Sequence, residues 1–441
     1  MHCQHTRRRV SPACRIGPSS ARRDPRPYPR AVRTTLIAAA CLSGIAGCDG
    51  PAGGTDEVAS PVPRADGTEV VRNRLESRRA DTWSIGTALR VGDADGAAAF
   101  GRVADVAPRA AGGMWVLDGQ SRLVSGFDEA GELVVRFGGE GDGPGELRNA
   151  RSVFETGAGR VAVAGPFPPM LHWFEADGAY VQSLHVKESL DASGNPLPPR
   201  FASWSVTRSG RVFVDLFALP SLGGGERVRH DVTGFDTGEP GAARRDTVLS
   251  WTVDAIPSDP SARLPIVPPV PKWTTGPGDL VWWTPGSPYE IRAYDGTGKL
   301  VRAISLDRAA VPVNRVVREA IAEGLRASAT AGAGDGGIVE NALSRAEWPD
   351  ELPHVADVWV SFPDGTVFSA PYRTESFQPG TPMMLDVFEA DGRYSGTLTL
   401  PARFSPRRFA EGFVYGVESD ELDLEYAVRY PVRPTRGGVT P

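Results

Sequence analysis

Apolar and polar positions recur along the chain in a two-part pattern. A glycine followed by a short run of β-branched and aromatic residues occurs six times, at Gly113, Gly159, Gly210, Gly278, Gly365 and Gly412. Five of these runs are followed by an aromatic residue, an acidic residue and a glycine, as in Phe127-Asp-Glu-Ala-Gly131. An acidic residue that caps a turn, with glycine in the left-handed position, is typical of a β-hairpin. Each repeat is therefore predicted to hold four short antiparallel strands.

The repeats predict an all-β fold, a six-bladed β-propeller of four-stranded antiparallel blades. The first three copies are 46 and 51 residues apart and the last two are 47 apart, a period typical of propeller blades. The sixth repeat lacks a fourth strand, and we expect the strand predicted at 82–90 to supply it and close the ring. A β-sandwich or two smaller sheets is the alternative. The blades are expected at 100–137, 151–186, 201–251, 270–306, 353–400 and 403–430.

The insertions between these strands predict where a ligand would bind. Every long insertion connects the fourth strand of a blade to the first strand of the next, or the second strand of a blade to its third. Because the strands are antiparallel, both kinds of connection lie on the same side of the disc, which we call the long-loop face. Binding residues concentrate on long loops of rigid scaffolds, so we predict that this face binds. The longest insertion predicts a helix within about 309–345, with Asn314 as its N-cap and Gly332–Gly337 ending it. This helix is predicted to be a lid packed over part of the ring, with a mobile cover or a partner-docking helix as the alternative.

The N-terminal region has the features of an export signal. Arg30 and Arg33 precede an apolar run from Leu36 to Ala46 that is too short to span a bilayer, and small residues lead to Cys48. Residues 1–47 thus resemble a bacterial lipoprotein signal, with a possible true start near 32, and Cys48 is the predicted lipidation site. A simple cleaved signal that contains Cys48 is the alternative. We expect 48–80 to be a flexible tether, 81–432 the propeller, and 433–441 a disordered tail.

Charge and cysteine content narrow the function classes. The chain has a formal net charge of −6, and the first 47 residues hold nine arginines and one aspartate, so the remainder is more acidic still. Such a surface repels nucleic acid. The other cysteines, Cys3, Cys14 and Cys41, precede Cys48, which leaves no disulfide framework or thiolate site in the mature chain.

Three motifs together resemble a known family. The first is the run from Phe137 to Leu147, Phe-Gly-Gly-Glu-Gly-Asp-Gly-Pro-Gly-Glu-Leu. The second is the lipoprotein signal, and the third is Trp348-Pro-Asp-Glu-Leu-Pro353 before a strand. They resemble the bacterial six-bladed β-propeller lipoproteins related to NHL-repeat proteins, over about 80–432. The resemblance implies the fold and a cell-envelope setting on the periplasmic or cell-surface side, and little chemistry.

Candidate binding residues follow the glycine-rich run. Glu146, Arg148 and Arg151 could present charge to a ligand, with an inter-blade salt bridge as the alternative, and Trp273 could offer a stacking platform, with a core position as the alternative. The run itself is not followed by a helix, so a nucleotide-binding loop is disfavoured. Four aspartates beside repeat strands could face the central channel, or could cap turns or pair with arginine: Asp105, Asp118, Asp215 and Asp357.

Catalytic motifs are absent from the sequence. There is no G-x-S-x-G, H-E-x-x-H, Walker A or EF-hand pattern. The histidines beyond the signal, His172, His185, His230 and His354, have no chelating spacing on one element. We therefore predict no cofactor and no metal site.

The leading function is a monomeric, membrane-tethered propeller that binds a protein or small ligand, or acts as a scaffold, through its long-loop face. A hydrolase or lyase with ligands from separate blades around the channel is the runner-up, and a purely structural envelope lipoprotein comes third.

Overall fold

The computed structural model describes residues 61–75, 83–92, 99–185, 200–218, 227–235, 245–255, 257, 259, 261–331, 336–378 and 380–435. Cys48 and the rest of the predicted signal lie outside this part of the chain. The strands in chain order are β1 Val62–Pro63, β2 Glu69–Arg74, β3 Trp83–Ile85, β4 Leu89–Val91, β5 Val103–Pro108, β6 Met114–Asp118, β7 Leu123–Phe127, β8 Leu133–Gly138, β9 Ser152–Glu155, β10 Val161–Pro166, β11 Pro169–Phe174, β12 Tyr180–His185, β13 Arg200–Val206, β14 Val212–Ala218, β15 Arg227–Phe235, β16 Arg245–Asp254, β17 Leu264–Pro265, β18 Lys272–Gly276, β19 Leu280–Thr284, β20 Glu290–Tyr294, β21 Leu300–Asp307, β22 Ala346–Glu347, β23 Val355–Val360, β24 Val367–Pro371, β25 Met383–Phe388, β26 Tyr394–Leu400, β27 Phe404–Ala410, β28 Phe413–Ser419 and β29 Glu425–Pro434. The helices are α1 Arg315–Ala331 and α2 Gly336–Ser344, with 3-10 turns at Pro277–Asp279 and Thr374–Phe377.

The described chain is nearly all-β, with a propeller arrangement and two helices. Three antiparallel sheets have four strands each, in the orders β5-β6-β7-β8, β9-β10-β11-β12 and β13-β14-β15-β16. Their hairpins use the predicted turn chemistry: Asp128 Oδ1 accepts hydrogen bonds from the backbone N–H groups of Ala130 and Glu132, both at 2.9 Å. Gly131 takes a φ of 86° there, a conformation that glycine adopts without strain.

The other large sheets are longer than predicted. One has six strands in the order β1-β2-β21-β20-β19-β18, and another has nine strands and includes β23 to β29. In the nine-stranded sheet β3 pairs with both β26 and β29, and β4 pairs antiparallel with β29. An N-terminal strand therefore does complete the last repeat, but the structure shows four separate blades and one continuous sheet, not six separate four-stranded sheets.

Part of the predicted tether is folded. Residues 61–75 form β1 and β2, and β2 runs parallel to β21, with Val71 opposite Ile304. The buried Asn73 anchors this strand because its amide donates to the carbonyls of Ser305 and Gly392, at 3.1 and 3.0 Å. The tether prediction is wrong for this stretch. β29 likewise extends through Pro434, so the predicted tail begins within a strand.

The first strands of the successive repeats surround a central channel. These inner strands are β5, β9, β13, β18, β23 and β27, and each contacts the next in a closed cycle, because β27 also contacts β5. Apolar side chains fill the space between neighbouring sheets, as where Val106 and Phe127 of the first sheet meet Tyr415 and Ala427 of the last. The core is thus distributed around the ring.

The helical insertion begins where the sequence predicts. Asn314 Oδ1 accepts a hydrogen bond from the Val317 N–H at 3.1 Å and caps α1. Val317 and Ile321 are buried against Leu352, with Tyr372 and Phe377 at the edge of the same cluster. The second helix, α2, was not predicted. None of the helices in the described ranges is long and apolar enough to cross a membrane.

Candidate functional site

A cavity lies at one end of the ring of inner strands. The cavity has a volume of about 80 Å³ and is lined by the C-terminal parts of all six inner strands, including Glu155, Ser205, Thr275, Trp359 and Arg407. The turns that follow the inner strands surround it. These turns are tied together: the Arg208 guanidinium pairs with the Glu411 carboxylate, and Ser209 Oγ donates to Asp279 Oδ1 at 2.8 Å. The cavity therefore lies at the end of the channel opposite to the long-loop face.

One cationic side chain in the cavity is not neutralised by a direct partner. The Arg407 guanidinium donates to the hydroxyl of Ser405 at 2.9 Å, and it makes no ion pair within the described ranges. Hydroxyl groups line other parts of the wall, where Ser205 Oγ and Thr275 Oγ1 lie 2.7 Å apart and link β13 to β18. The partly exposed indole of Trp359 completes the lining. A guanidinium, hydroxyls and an indole together suit a small polar ligand with an anionic group.

The neighbouring Arg408 forms a structural ion pair with a buried aspartate. Arg408 binds Asp105 through two parallel hydrogen bonds, from Nη1 to Oδ1 at 2.7 Å and from Nη2 to Oδ2 at 2.8 Å. The same carboxylate accepts from the backbone N–H groups of Val106 and Val153, each at 2.9 Å. The Arg408 guanidinium also lies 4.5 Å from the centre of the Phe154 ring. This pair joins β27, β5 and β9 and is structural.

Asp357 occupies the matching position of another inner strand. The sequence Val-Ala-Asp-Val occurs at 103–106 and again at 355–358, and both aspartates lie at a register shift in their strand pair. Asp357 lacks an arginine partner among the described side chains and accepts only from the Val358 N–H, at 2.9 Å. Burial raises the pKa of Asp357, and the charges of Lys272 and Arg407 partly offset this.

Glu155 is a second carboxyl group with a raised pKa. Burial is the main cause, and the hydrogen bond from the Ala110 N–H and the charges of Arg109 and Arg208 act in the opposite direction. Both carboxyl groups therefore keep their protons to a higher pH than exposed ones do.

Comparison with known proteins identifies a fold and no family. No protein-family model matches the sequence, and no curated protein matches it. Solved structures do match. A member of the DUF4221 family from Bacteroides vulgatus is 10% identical with a TM-score of 0.50, over 81% of this chain and 100% of that one. A Bacteroides fragilis protein that is thought to be exported is 11% identical with a TM-score of 0.48, over 83% and 100%. Virginiamycin B lyase from Staphylococcus aureus is 8% identical with a TM-score of 0.38, over 79% and 99%. The likeness is one of fold.

The four predicted ligand-binding residues lie outside the cavity. Glu146 Oε2 accepts from the Gly143 N–H at 2.6 Å and shapes its own loop. Arg148 pairs with Asp142 of the same loop at 2.6 Å, and both side chains are exposed. Trp273 is partly buried in the apolar cluster between the third and fourth repeats. Arg151 directly precedes β9 on the long-loop face, where it makes no ion pair within the described part of the chain. Binding through that face stays a prediction.

The remaining candidate aspartates have structural partners. Asp118 caps the turn after β6 through the Gln120 N–H at 2.8 Å and the Ser121 hydroxyl at 2.8 Å. Asp215 Oδ2 lies within hydrogen-bond distance of His230 Nδ1, at 2.9 Å. The His230 ring is stacked on Trp251, with the ring centroids 4.9 Å apart. Within the described ranges no three His, Cys, Asp or Glu side chains are grouped to hold a metal ion.

Sequence reasoning missed Arg407 and Arg408. They lie in the repeat that lacks the acidic-glycine turn, and adjacent arginines on a strand give no local signal of a channel. The repeated Val-Ala-Asp-Val was the available signal, since it places two aspartates at the same position of two inner strands.

Proposed function

We propose that this chain is a binding module of the bacterial cell envelope, tethered by a lipid on Cys48, whose six-bladed propeller takes a small polar ligand with an anionic group in its channel. Six blades are supported by the closed cycle of six inner strands. In this proposal the nine-stranded sheet is two blades joined by β3, which pairs with β26 of one blade and β29 of the other.

The observation that carries the ligand proposal is the environment of Arg407. Its guanidinium lies in the cavity, bonded to one neutral hydroxyl, while the adjacent Arg408 is held by a buried carboxylate. A half-buried guanidinium without a carboxylate bonded to it favours an anion in the site, because arginine presents paired donors to carboxylate or phosphate oxygens. The hydroxyls of Ser205 and Thr275 add partners for a polyhydroxylated ligand.

Calorimetric titration with matched sugars tests this. Galacturonate and galactose share ring hydroxyls and differ in the carboxylate, so the full chain should bind galacturonate more tightly than galactose. Arg407→Ala should remove that preference. Arg160→Ala is the control, because Arg160 forms an exposed pair with Glu175 at 3.2 Å on the second sheet. Equal affinity for both sugars, or an unchanged preference in the Arg407 variant, would contradict the proposal.

A hydrolase or lyase is the second candidate, and the carboxyl groups of Glu155 and Asp357 favour it. A carboxyl group whose pKa is raised by burial is a candidate general acid or base. Turnover of uronate esters or lactones that Glu155→Gln abolishes, with binding retained, would establish an enzyme. Binding without turnover would leave the binding module.

The envelope location is proposed from the sequence. Small residues lead from the apolar run to Cys48, as lipid attachment requires. Mass spectrometry should find the Cys48 peptide carrying a diacylglyceryl group. An unmodified peptide that crosses positions 47 and 48 would contradict lipidation.

A further inference from the structure

Three arginines converge on the long-loop face, at the opposite end of the ring from the cavity. Arg102 precedes β5, Arg122 lies in the turn between β6 and β7, and Arg151 precedes β9. Arg102 and Arg122 flank the same turn, because the Arg102 carbonyl accepts from the Gly119 N–H at 2.7 Å and the Arg122 guanidinium donates to the Gly119 carbonyl. We call these three residues the arginine cluster.

Two carboxylates beside the cluster already accept hydrogen bonds from the backbone, and one of them is Glu425, whose Oε2 accepts from the Val103 N–H at 2.6 Å. Asp118 is 6% exposed, and its oxygens accept from the N–H groups of Gly101 and Arg102, both at 3.2 Å, as well as from Gln120 and Ser121. The backbone donors lower the pKa of Asp118 against the opposing effect of burial, which is the largest influence on it. Asp118 therefore fixes the turn that presents two of the arginines, and it forms no ion pair with either.

The glycine-rich loop brings the third arginine to the same place. The Gly139 N–H donates to the Arg122 carbonyl at 2.9 Å, and the Leu147 N–H donates back to the Gly139 carbonyl at 2.7 Å. Leu147 is fully buried and pins the far end of the loop. The Arg151 N–H then donates to the Ala164 carbonyl at 2.8 Å, directly before β9 begins at Ser152. The loop thus folds against the turn that holds Arg122.

The cluster carries unbalanced positive charge. Within the described part of the chain, none of the three guanidinium groups makes an ion pair. Burial lowers the pKa of Arg151, and the charges of Arg122 and Arg102 lower it further, with no carboxylate among the causes. Arg148, three residues earlier, is by contrast paired with Asp142. Arginines held together without a carboxylate repel one another, and a multiply charged anion relieves that repulsion.

We infer that the arginine cluster binds a phosphoryl group, through the planar guanidinium donors that match its oxygens. The group belongs either to a soluble phosphate ester, which is mostly dianionic at neutral pH, or to a phospholipid headgroup, whose phosphodiester is monoanionic, and both present non-bridging oxygens to the guanidinium donors. The site is separate from the channel cavity. No helix N-terminus follows the glycine-rich loop to hold a phosphate. In this inference the loop instead positions the arginine side chains that bind it.

The test has two parts, and the first is titration of the full chain with inorganic phosphate. At constant ionic strength, calorimetry should show saturable binding of phosphate that chloride does not reproduce. Arg151→Ala should weaken it on the order of ten-fold or more, the loss expected for one charge-assisted hydrogen-bonding group. Arg122→Gly should do the same without harming the fold, because Arg122 has a φ of 62°, which glycine adopts more easily. Arg148→Ala is the matched control and should leave the affinity unchanged.

Vesicle sedimentation forms the second arm and distinguishes the sources. Binding to phosphatidylglycerol vesicles over phosphatidylcholine vesicles, lost in Arg151→Ala and kept in Arg148→Ala, assigns a lipid headgroup. Phosphate binding without a vesicle preference assigns a soluble ligand. The inference is overturned if the wild-type chain shows neither, or if Arg148→Ala weakens binding as much as Arg151→Ala. Thermal midpoints of all variants should match that of the wild type, so that misfolding cannot imitate lost binding.

Discussion

The repeated Val-Ala-Asp-Val offers an internal comparison of a paired and an unpaired buried aspartate. We predict that Asp105→Asn lowers the free energy of unfolding by about 3 kcal/mol, because removal of one partner from a buried ion pair costs about 3–5 kcal/mol and the amide keeps one acceptor. Asparagine has the size of aspartate, so no cavity contributes. The Arg408 side chain is only 23% exposed and cannot recover full hydration.

Asp357→Asn should behave differently. Its carboxyl group has no arginine partner among the described residues, and burial raises its pKa. A raised pKa means that the group favours folding fully only below its unfolded value, near 3.8, and that this contribution is lost as the pH rises through the folded value. At pH 7 the neutral amide should therefore leave stability unchanged or increase it. The gain over wild type should shrink as the pH falls towards 4.

Urea denaturation followed by tryptophan fluorescence measures both variants. Urea is preferred to guanidinium chloride because a salt would screen the ion pair. The reasoning is refuted if Asp105→Asn costs less than about 1 kcal/mol, the range of ordinary surface substitutions, or if Asp357→Asn costs as much as Asp105→Asn at pH 7.

Four further substitutions test individual turns and anchoring contacts. Gly113→Ala should destabilise the fold more than Gly159→Ala, because both have positive φ but a Cβ at Gly113 would lie 2.1 Å from the Phe127 carbonyl oxygen while none lies near Gly159; thermal melts that rank them the other way would contradict this. Asn73→Ala should cost about 2–4 kcal/mol in urea, since it leaves buried backbone groups without partners, and a smaller loss would mean that β2 is dispensable. Asn314→Ala should cost about 1 kcal/mol and speed hydrogen exchange in α1 alone; faster exchange in the neighbouring sheets would contradict a purely local cap.

Much of the fold is readable from the sequence because its determinants are local. The acidic-glycine turns specify hairpins within a few residues, and Asp128 caps its turn through neighbours two and four positions away. Asn314 likewise caps α1 through the third residue along. The start of the helix and most strand pairs were predicted for this reason.

What the sequence did not reveal depends on contacts between distant residues. Asn73 binds a carbonyl 319 positions away, so residues 61–75 resemble a tether until β21 is in place. Asp105 and Arg408 are 303 positions apart, and neither has a local pattern that marks it as a partner of the other. The cavity is assembled from six inner strands in the same way. Loop length pointed instead to the opposite face, where the described structure places the arginine cluster.

A crystal structure grown with galacturonate would test the channel-binding proposal most directly. The account predicts ordered ligand density in the channel cavity, with the carboxylate at the Arg407 guanidinium and ring hydroxyls at Ser205 or Thr275. An empty cavity, with galacturonate ordered elsewhere or absent despite saturating concentration, would contradict it.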